Sequence, residues 1–260
     1  MAVEELVVEL TTGPVRDLHG KVAVVVGGSR NQGAAFARLI AARGATTVVS
    51  YAHDDTAADR LLAELSEHRT SVEAVRSDAR VAADVTILFE GVIERHRRLD
   101  IVVHTPGAVL EKTIAECTDD DFDHLVNSNF RSVFHTLRAT GRHIQDDGRY
   151  IVLSSALTAR PAPAYGLYTG SKAAVEHLVA AVARELGHRG ITVNAIAPSP
   201  VDNSFFRAAK SPGALVEAAL RNPRNRLATA DDVAALIGWL ISADARWISG
   251  QTLYVDGAEF

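Results

Sequence analysis

Sulfur and aromatic residues are scarce in this chain. Its 260 residues include one cysteine, Cys117, one methionine and two tryptophans, and aromatic residues make up 6%. A single cysteine excludes an intrachain disulfide and any cysteine-based zinc cluster, and it fits a reducing compartment. No local motif accompanies Cys117, which reads as an ordinary structural thiol. Ten histidines are present, but they are scattered, with no HExxH or HxH pair, and no metal site is expected. An excess of one charge is also missing. Lys and Arg number 27 against 32 Asp and Glu, a net charge of -5, so neither nucleic acid nor an anionic membrane is expected as a partner. Apolar runs fall well short of a membrane span. The N-terminus lacks a basic region followed by an apolar core, so no secretory signal is visible and a cytoplasmic location is expected.

What is present is a large apolar fraction, 47%, enough for one sizeable core. Residues 1–20 form a leader broken by Gly13-Pro14; it reads as an extra strand, an arm on a partner subunit, or disorder. From Lys21 the chain alternates. Strands are predicted at Val22–Val26, Thr46–Tyr51, Ser71–Arg76, Ile101–His104, Tyr150–Ser154, Ile191–Ala197 and Thr252–Val255. Helices are predicted at Ala34–Arg43, Thr56–His68, Ala82–Arg97, Asp119–Asn127, Asn129–Ile144, Tyr165–Gly187 and Ala230–Ser242. This rhythm predicts an α/β fold over residues 21–260: a single-domain, doubly wound Rossmann fold, with a seven-stranded parallel sheet and helices on both faces. Residues 199–226, rich in Pro, Asn and Arg, break the rhythm after a strand and form a candidate substrate lid.

The first strand runs into Val26-Gly27-Gly28-Ser29-Arg30-Asn31-Gln32-Gly33 and then a helix. A dinucleotide pyrophosphate needs backbone N–H groups at a helix N-terminus with no side chain in the way, and Gly27 and Gly33 supply the turn and the close approach. Such a turn alone is weak evidence; its place after the first strand strengthens it. The second strand ends Val48-Val49-Ser50-Tyr51, with no acid at Ser50 to hold a ribose 2′-hydroxyl and repel a 2′-phosphate. Arg30 offers a planar donor to that phosphate, which favours NADP (NADPH). Asp54 and Asp55 argue weakly the other way and read equally well as the cap of the next helix.

Tyr168-Thr169-Gly170-Ser171-Lys172 places a phenol and an ammonium on one helix face, one turn apart. A free tyrosine titrates near ~10, and a nearby cation favours its phenolate, which would suit it to general acid–base work. The pair alone is as well explained by a surface helix. Ser155, at the end of the fifth strand, adds a hydroxyl that can hold a carbonyl oxygen at the mouth of the sheet.

With these residues in view, the chain from about Leu18 onward resembles the short-chain dehydrogenase/reductase family, and most closely its 3-oxoacyl-carrier-protein reductase type. The family's Y-x-x-x-K is matched by Tyr168 and Lys172, its catalytic serine by Ser155, and its catalytic asparagine by Asn129, with Asn127 a competing choice two residues earlier. The resemblance implies catalytic roles for Asn129, Ser155, Tyr168 and Lys172. It implies cofactor contacts from Gly27, Ser29, Arg30, Asn31, Gln32, Gly33, Ser50, Tyr51, Asp78, Ala79, His104, Gly107, Tyr168, Lys172, Pro198 and Val201, with no metal. Asn194 and Asp256-Gly257 match two further family signatures. Departures are Val26 for threonine, Asn31 for the middle glycine, His104-Thr105-Pro106-Gly107 for N-N-A-G, and Ser199 for the glycine of P-G.

The expected activity is therefore an NADPH-dependent reduction of a ketone or 3-oxoacyl carbonyl. In the mechanism that the resemblance implies, Tyr168 donates the proton, Ser155 positions the oxygen, Lys172 lowers the phenol's pKa and holds the nicotinamide ribose, and Asn129 anchors a water. An NAD-linked alcohol or sugar dehydrogenase is a second reading, and a non-catalytic dinucleotide-binding regulator a third. Partners are expected to be a small carbonyl or acyl-thioester substrate and further copies of the chain. Val175, Leu178, Val179 and Val182 form an apolar stripe that reads either as core packing or, by the resemblance, as part of a tetramer interface. Phe205, Phe206, Leu215 and Leu220 suggest an apolar or mixed ligand; Arg207, Lys210, Arg221, Arg224 and Arg226 suit either an anionic carrier or a solvated face.

Overall fold

A computed structural model describes residues 16–66 and 71–259. Most of the leader, residues 1–15, lies outside the described residues. Its last part does not stand apart from the fold: Leu18 is buried in the core, and its N–H donates to Arg43 O at 3.1 Å.

Seven strands, β1 (Val22–Val26), β2 (Thr46–Tyr51), β3 (Val72–Arg76), β4 (Ile101–His104), β5 (Arg149–Leu153), β6 (Thr192–Pro198) and β7 (Thr252–Val255), form one sheet in the order β3-β2-β1-β4-β5-β6-β7. Every adjacent pair is parallel. β1 is a continuous apolar run, and every residue of β1, β4 and β5 is buried, because both their faces are covered. Along β1, Ala23 and Val25 face one core; Val22, Val24 and Val26 face the other. The first core is closed by α1 (Asn31–Ala42), α2 (Asp55–Leu65) and α9 (Ala230–Leu240), the second by α3 (Ala82–His96), α5 (Ser132–His143) and α6 (Gly166–Leu186). The sequence reverses direction of travel between β1 and β4, and the crevice at such a switch point is where α/β sheets bind ligands.

Most elements lie within one or two residues of their sequence-based bounds, the end of the Thr56–His68 helix at 67–68 lying outside the described residues, and three departures are larger. Helix α1 begins at Asn31 rather than Ala34, because Arg30 is extended (φ -142°) and takes the cap position. The two helices expected to break before Asn129 form a continuous path: α4 (Asp119–Leu125) passes through a turn of π-helix, Val126–Arg131, into α5. Finally, the lid region carries two helices, α7 (Ser204–Ala209) and α8 (Pro212–Arg221), capped by Asn203 and Ser211. The stripe on α6 packs inward: Val175 and Val179 are fully buried, with Leu178 and Val182 partly buried against the same core. No helix among the described residues is long and apolar enough to cross a membrane.

The edge of the sheet is fastened by Asn194. It is fully buried; its amide nitrogen donates to Ile248 O at 2.8 Å and its oxygen accepts from Gln251 N at 3.1 Å. Asn194→Ala leaves both backbone groups unpaired, and is expected to lower unfolding free energy by about 1–3 kcal/mol. Urea denaturation checks this; an unchanged midpoint would show that the two contacts carry no stability.

Candidate active site

The turn after β1 is held by three neighbours. Gly27 adopts φ +71°, and a Cβ there would stand 2.9 Å from Pro106 and Thr105 side-chain atoms. A Cβ on Gly33 would stand 2.4 Å from Gly27 O, so only glycine permits this approach of helix to turn. Asn31 adopts φ +51°, a region that asparagine tolerates, and so preserves the turn where the family pattern has glycine. Thr105 Oγ1 donates to Val26 O at 2.8 Å and Gly27 O at 3.0 Å, and Gly28 N donates to Ser50 O at 3.0 Å. The Thr105-Pro106 departure thus braces the turn. Ser50 lies fully buried beneath it, its Oγ accepting from Gly27 N at 3.4 Å, rather than on the cleft wall.

A cleft of about 1370 Å³ opens across the carboxyl ends of the strands, larger than a typical single-ligand pocket. Where β2 and β3 end, it is lined by Arg30, Tyr51, His53, Ser77, Asp78, Ala79 and Arg80. Arg30 is exposed and meets Asp54 at 3.1 Å, while the other Asp54 oxygen caps α2 through Ala57 N at 2.9 Å. Both readings of Asp54, cap and neighbour of Arg30, therefore apply to one side chain. The Asp78 carboxylate is engaged by Arg80 (Nη2 to Oδ2 2.6 Å), and that hydrogen bond holds it below its ordinary value.

Further along, Ser155, Tyr168 and Lys172 line the same cleft. Ser155 is buried at the start of a short 3-10 turn, Ala156–Thr158, and its hydroxyl accepts from Leu157 N at 3.3 Å. Lys172 is buried, and its Nζ donates to Leu153 O at 2.9 Å. Burial lowers its pKa to about 8, with Glu176, one turn on, acting the other way. Glu176 in turn accepts from Ser154 Oγ and Thr158 Oγ1, so one carboxylate braces the Ser155 segment and faces the lysine. The Tyr168 phenol differs from expectation. Burial pushes it up, its hydrogen bond with Ser155 pulls it down, Tyr165 pushes it up, and the net direction is upward. In this structure Lys172 is not what sets it, because the ammonium is turned to the Leu153 carbonyl.

Asn129 does not line the cleft; it sits behind it, fully buried in the π-helical turn, a feature frequent at functional sites. Its Oδ1 accepts from Ala108 N at 2.8 Å, and its Nδ2 donates to Ala108 O at 2.9 Å and Ser171 Oγ at 2.8 Å. A Cβ on Gly107 would lie 3.0 Å from Asn129 Oδ1 and 3.1 Å from Lys172 Nζ. Gly107 therefore keeps open a polar corner shared by those two groups. Asn127 makes none of these contacts. His104 likewise stands behind the cleft wall. It is fully buried between Thr136 Oγ1 (3.0 Å) and Ser132 Oγ (3.3 Å), and burial, aided by the Lys172 charge, lowers it to about 3. It is a neutral structural imidazole that completes a hydroxyl network reaching Tyr150.

Pro198 and Val201 line the cleft below the lid, with Phe205, Phe206 and Lys210. Lys210 bonds both Glu111 and Tyr165, whose ring stacks edge-on to Tyr168 at 6.4 Å. Three further lid cations are also engaged: Arg207 with Asp202, Arg221 with Glu217 and Glu259, and Arg226 with Asp232. Sequence reading did not single out Ser77, Glu111, Tyr165 or Glu176. Each is placed by tertiary contact, and none carries a motif.

The cleft fits a dinucleotide on its own evidence. Its turn admits no side chain at Gly27 or Gly33, and two buried polar atoms on its lining residues, Gln32 Nε2 and Ser77 Oγ, have no hydrogen-bond partner.

Comparison with known proteins agrees. The family described as enoyl-(acyl carrier protein) reductase matches residues 27–257. A hydroxynaphthalene reductase of Aspergillus fumigatus is 33% identical over 246 residues, 90% of each chain. A versicolorin reductase of Emericella nidulans is 33% identical, covering 94% of this chain and 97% of its own. Among solved structures, a short-chain dehydrogenase of Burkholderia cenocepacia in complex with NADP superposes with a TM-score of 0.87 at 33% identity, over 94% of this chain and 99% of that one. An angucycline C-6 ketoreductase with bound NADP gives 0.88 at 31%, over 94% and 96%.

The Lys172 environment makes a prediction that needs no substrate. In the cofactor-free protein its amine should lose its proton with a midpoint of about 8, against 10.5 for an ordinary lysine. The rate of Lys172 acylation, mapped by mass spectrometry across pH, should follow that midpoint. Glu176→Gln removes the charge that favours the ammonium and should move the midpoint lower. A midpoint near 10.5, or a shift upward, contradicts the stated environment.

Proposed function

The chain belongs to the short-chain dehydrogenase/reductase family, and from that premise we propose that it is an NADPH-dependent ketoreductase acting on a cyclic, hydroxylated ketone. The observation that carries the reading is the set of Ser155, Tyr168 and Lys172 on one wall of a cleft whose other end is a glycine turn open to a pyrophosphate. Asn129 stands behind that wall. A protein that only bound a dinucleotide would have no physical need for all four groups.

NADPH supplies the hydride when bound. The turn from Gly27 to Gly33 would hold its pyrophosphate. Arg30 would meet the 2′-phosphate where β2 ends, a position with no acid at Ser50. Ser155 fixes the substrate oxygen, and Tyr168 gives it a proton. The upward direction of the Tyr168 phenol suits this role, because a proton donor must be protonated at neutral pH. Lys172, cationic below about 8, would hold the nicotinamide ribose. Asn129 holds the Gly107–Ala108 backbone and Ser171 in place, so that the Lys172 corner keeps its shape.

Two observations favour a free ketone over a carrier-bound thioester. Four of the five lid cations that would greet an anionic carrier, all but Arg224, are paired within the chain. The relatives are named for hydroxynaphthalene, versicolorin and an angucycline ketone, which supports a hydroxylated aromatic ring system as substrate. We take residues 21–260 as one catalytic domain preceded by a leader. We take the protein to be a cytoplasmic homotetramer; aromatic surface near the sheet edge, where Trp247 is 94% and Tyr254 44% exposed, supports association with further copies.

Tyr168→Phe should lower turnover at least about a hundredfold while NADPH still binds, as followed by cofactor fluorescence with a panel of tetralone-type ketones and 3-oxoacyl thioesters. Near-normal turnover would refute the role of Tyr168, and reduction of thioesters alone would refute the ketone assignment. Arg30→Ala should weaken NADPH binding about tenfold and NADH binding hardly at all; an equal loss for both would remove Arg30 from the 2′-phosphate.

A further inference from the structure

A side chain that joins the phosphate turn to the lid belongs to a position where the family pattern has glycine. Asn31 stands in the phosphate turn with φ +51°, so its backbone takes the course that a glycine would take. Its side chain leaves the turn for the lid. Asn31 Oδ1 accepts from Ser204 Oγ at 2.9 Å and from Ser204 N at 3.3 Å. Ser204 is the first residue of α7, and the helix that it opens carries Phe205 and Phe206 into the cleft wall.

The lid has other fastenings, and they lie elsewhere. Its stem is paired through Val201 and Ala228. Lys210, between α7 and α8, is bound to Glu111 and Tyr165 at the mouth. At the end of α8, Asn222 Nδ2 donates to Asp256 O at 2.7 Å in the C-terminal tail. Among the hydrogen bonds of the described residues, the Asn31 contact alone joins the lid to the turn proposed to hold the cofactor.

We propose that Asn31 is a positioning residue that couples dinucleotide occupancy of the phosphate turn to the placement of α7 over the substrate. The physical route is short. An anion bound by the N–H groups at the start of α1 fixes the backbone of Asn31. A fixed backbone narrows the directions available to its side chain, and the two hydrogen bonds to Ser204 then hold the first turn of α7. Glycine at the same place would satisfy the turn and leave the lid untethered there. Asn31 therefore meets two demands, a left-handed backbone and a polar reach, that few residues other than Asn and Asp combine. Asp would put a negative charge beside the pyrophosphate.

The inference rests on the dinucleotide half of the proposed function and is independent of the ketone. Its test is amide hydrogen exchange of the full chain with and without NADPH. In the wild-type protein NADPH should slow exchange in residues 27–33 and also, by about tenfold, in α7. In Ser204→Ala and in Asn31→Gly the slowing at α7 should fall below about twofold, and the double variant should match either single one. A merely structural contact would change α7 exchange equally with and without NADPH. Slowing at 27–33 that fails to extend to α7, or extends equally in the variants, overturns the coupling alone. No slowing at 27–33 overturns the cofactor reading and the coupling together.

Discussion

The side chain of Asn129 is the interaction on which the cleft depends. One amide group satisfies both backbone atoms of Ala108 and the Ser171 hydroxyl. It thereby joins the loop after β4, the helical path from α4 to α5, and α6, three elements far apart in sequence. The π-helical turn explains how it gets there. An extra residue in the turn re-aims side chains that a regular helix would space differently. Because Asn129 is fully buried, replacing it would leave the part-buried Ala108 N–H and carbonyl without their partner. Gly107 comes within 3.1 Å of Lys172 as a consequence, measured at the place a Cβ would take.

Around that fixed point, burial sets the titration of the groups. Lys172 is brought down to about 8, near enough to neutrality for its charge to respond to what binds beside it. Tyr168 moves up and remains a phenol. His104 moves down to about 3 and contributes no charge to a region that already contains a buried ammonium. A cation at that depth would add like-charge repulsion to the cost of desolvation. The histidine is tolerated because its two nitrogens are both engaged, by Thr136 and Ser132, as a buried polar group requires.

Much of the fold was legible because it is written in short-range patterns. Continuous apolar runs such as Val22–Val26 and Ile101–Val103 mark strands covered on both faces, and all seven strands appear within about a residue of their expected places. The glycine turn, Ser155, Tyr168 and Lys172 were legible because their spacing is local, and the structure gathers them in one cleft. What sequence could not give was the side on which a residue faces. Ser50 and His104 occupy positions at strand ends next to the cofactor groove, yet both side chains turn inward. The effect of Lys172 on Tyr168 was misjudged for the same reason: helical spacing places two residues on one face, but not the ammonium toward the phenol. The helices of the lid were obscured by Pro, Asn and Arg, whose capping roles at Asn203 and Ser211 look like loop signals until the partner N–H is seen.

In the proposed reaction the cleft moves a hydride from NADPH to a ketone carbon while a side chain supplies the proton. The most direct measurement uses NADPH deuterated at its hydride-donating carbon, with hydroxylated tetralones as substrates, and reads the alcohol by mass spectrometry. The account predicts one deuterium on the carbinol carbon from labelled NADPH, and none on that carbon from heavy water with unlabelled cofactor. Consumption of no ketone in the panel, or a carbinol hydrogen derived from solvent, would contradict it.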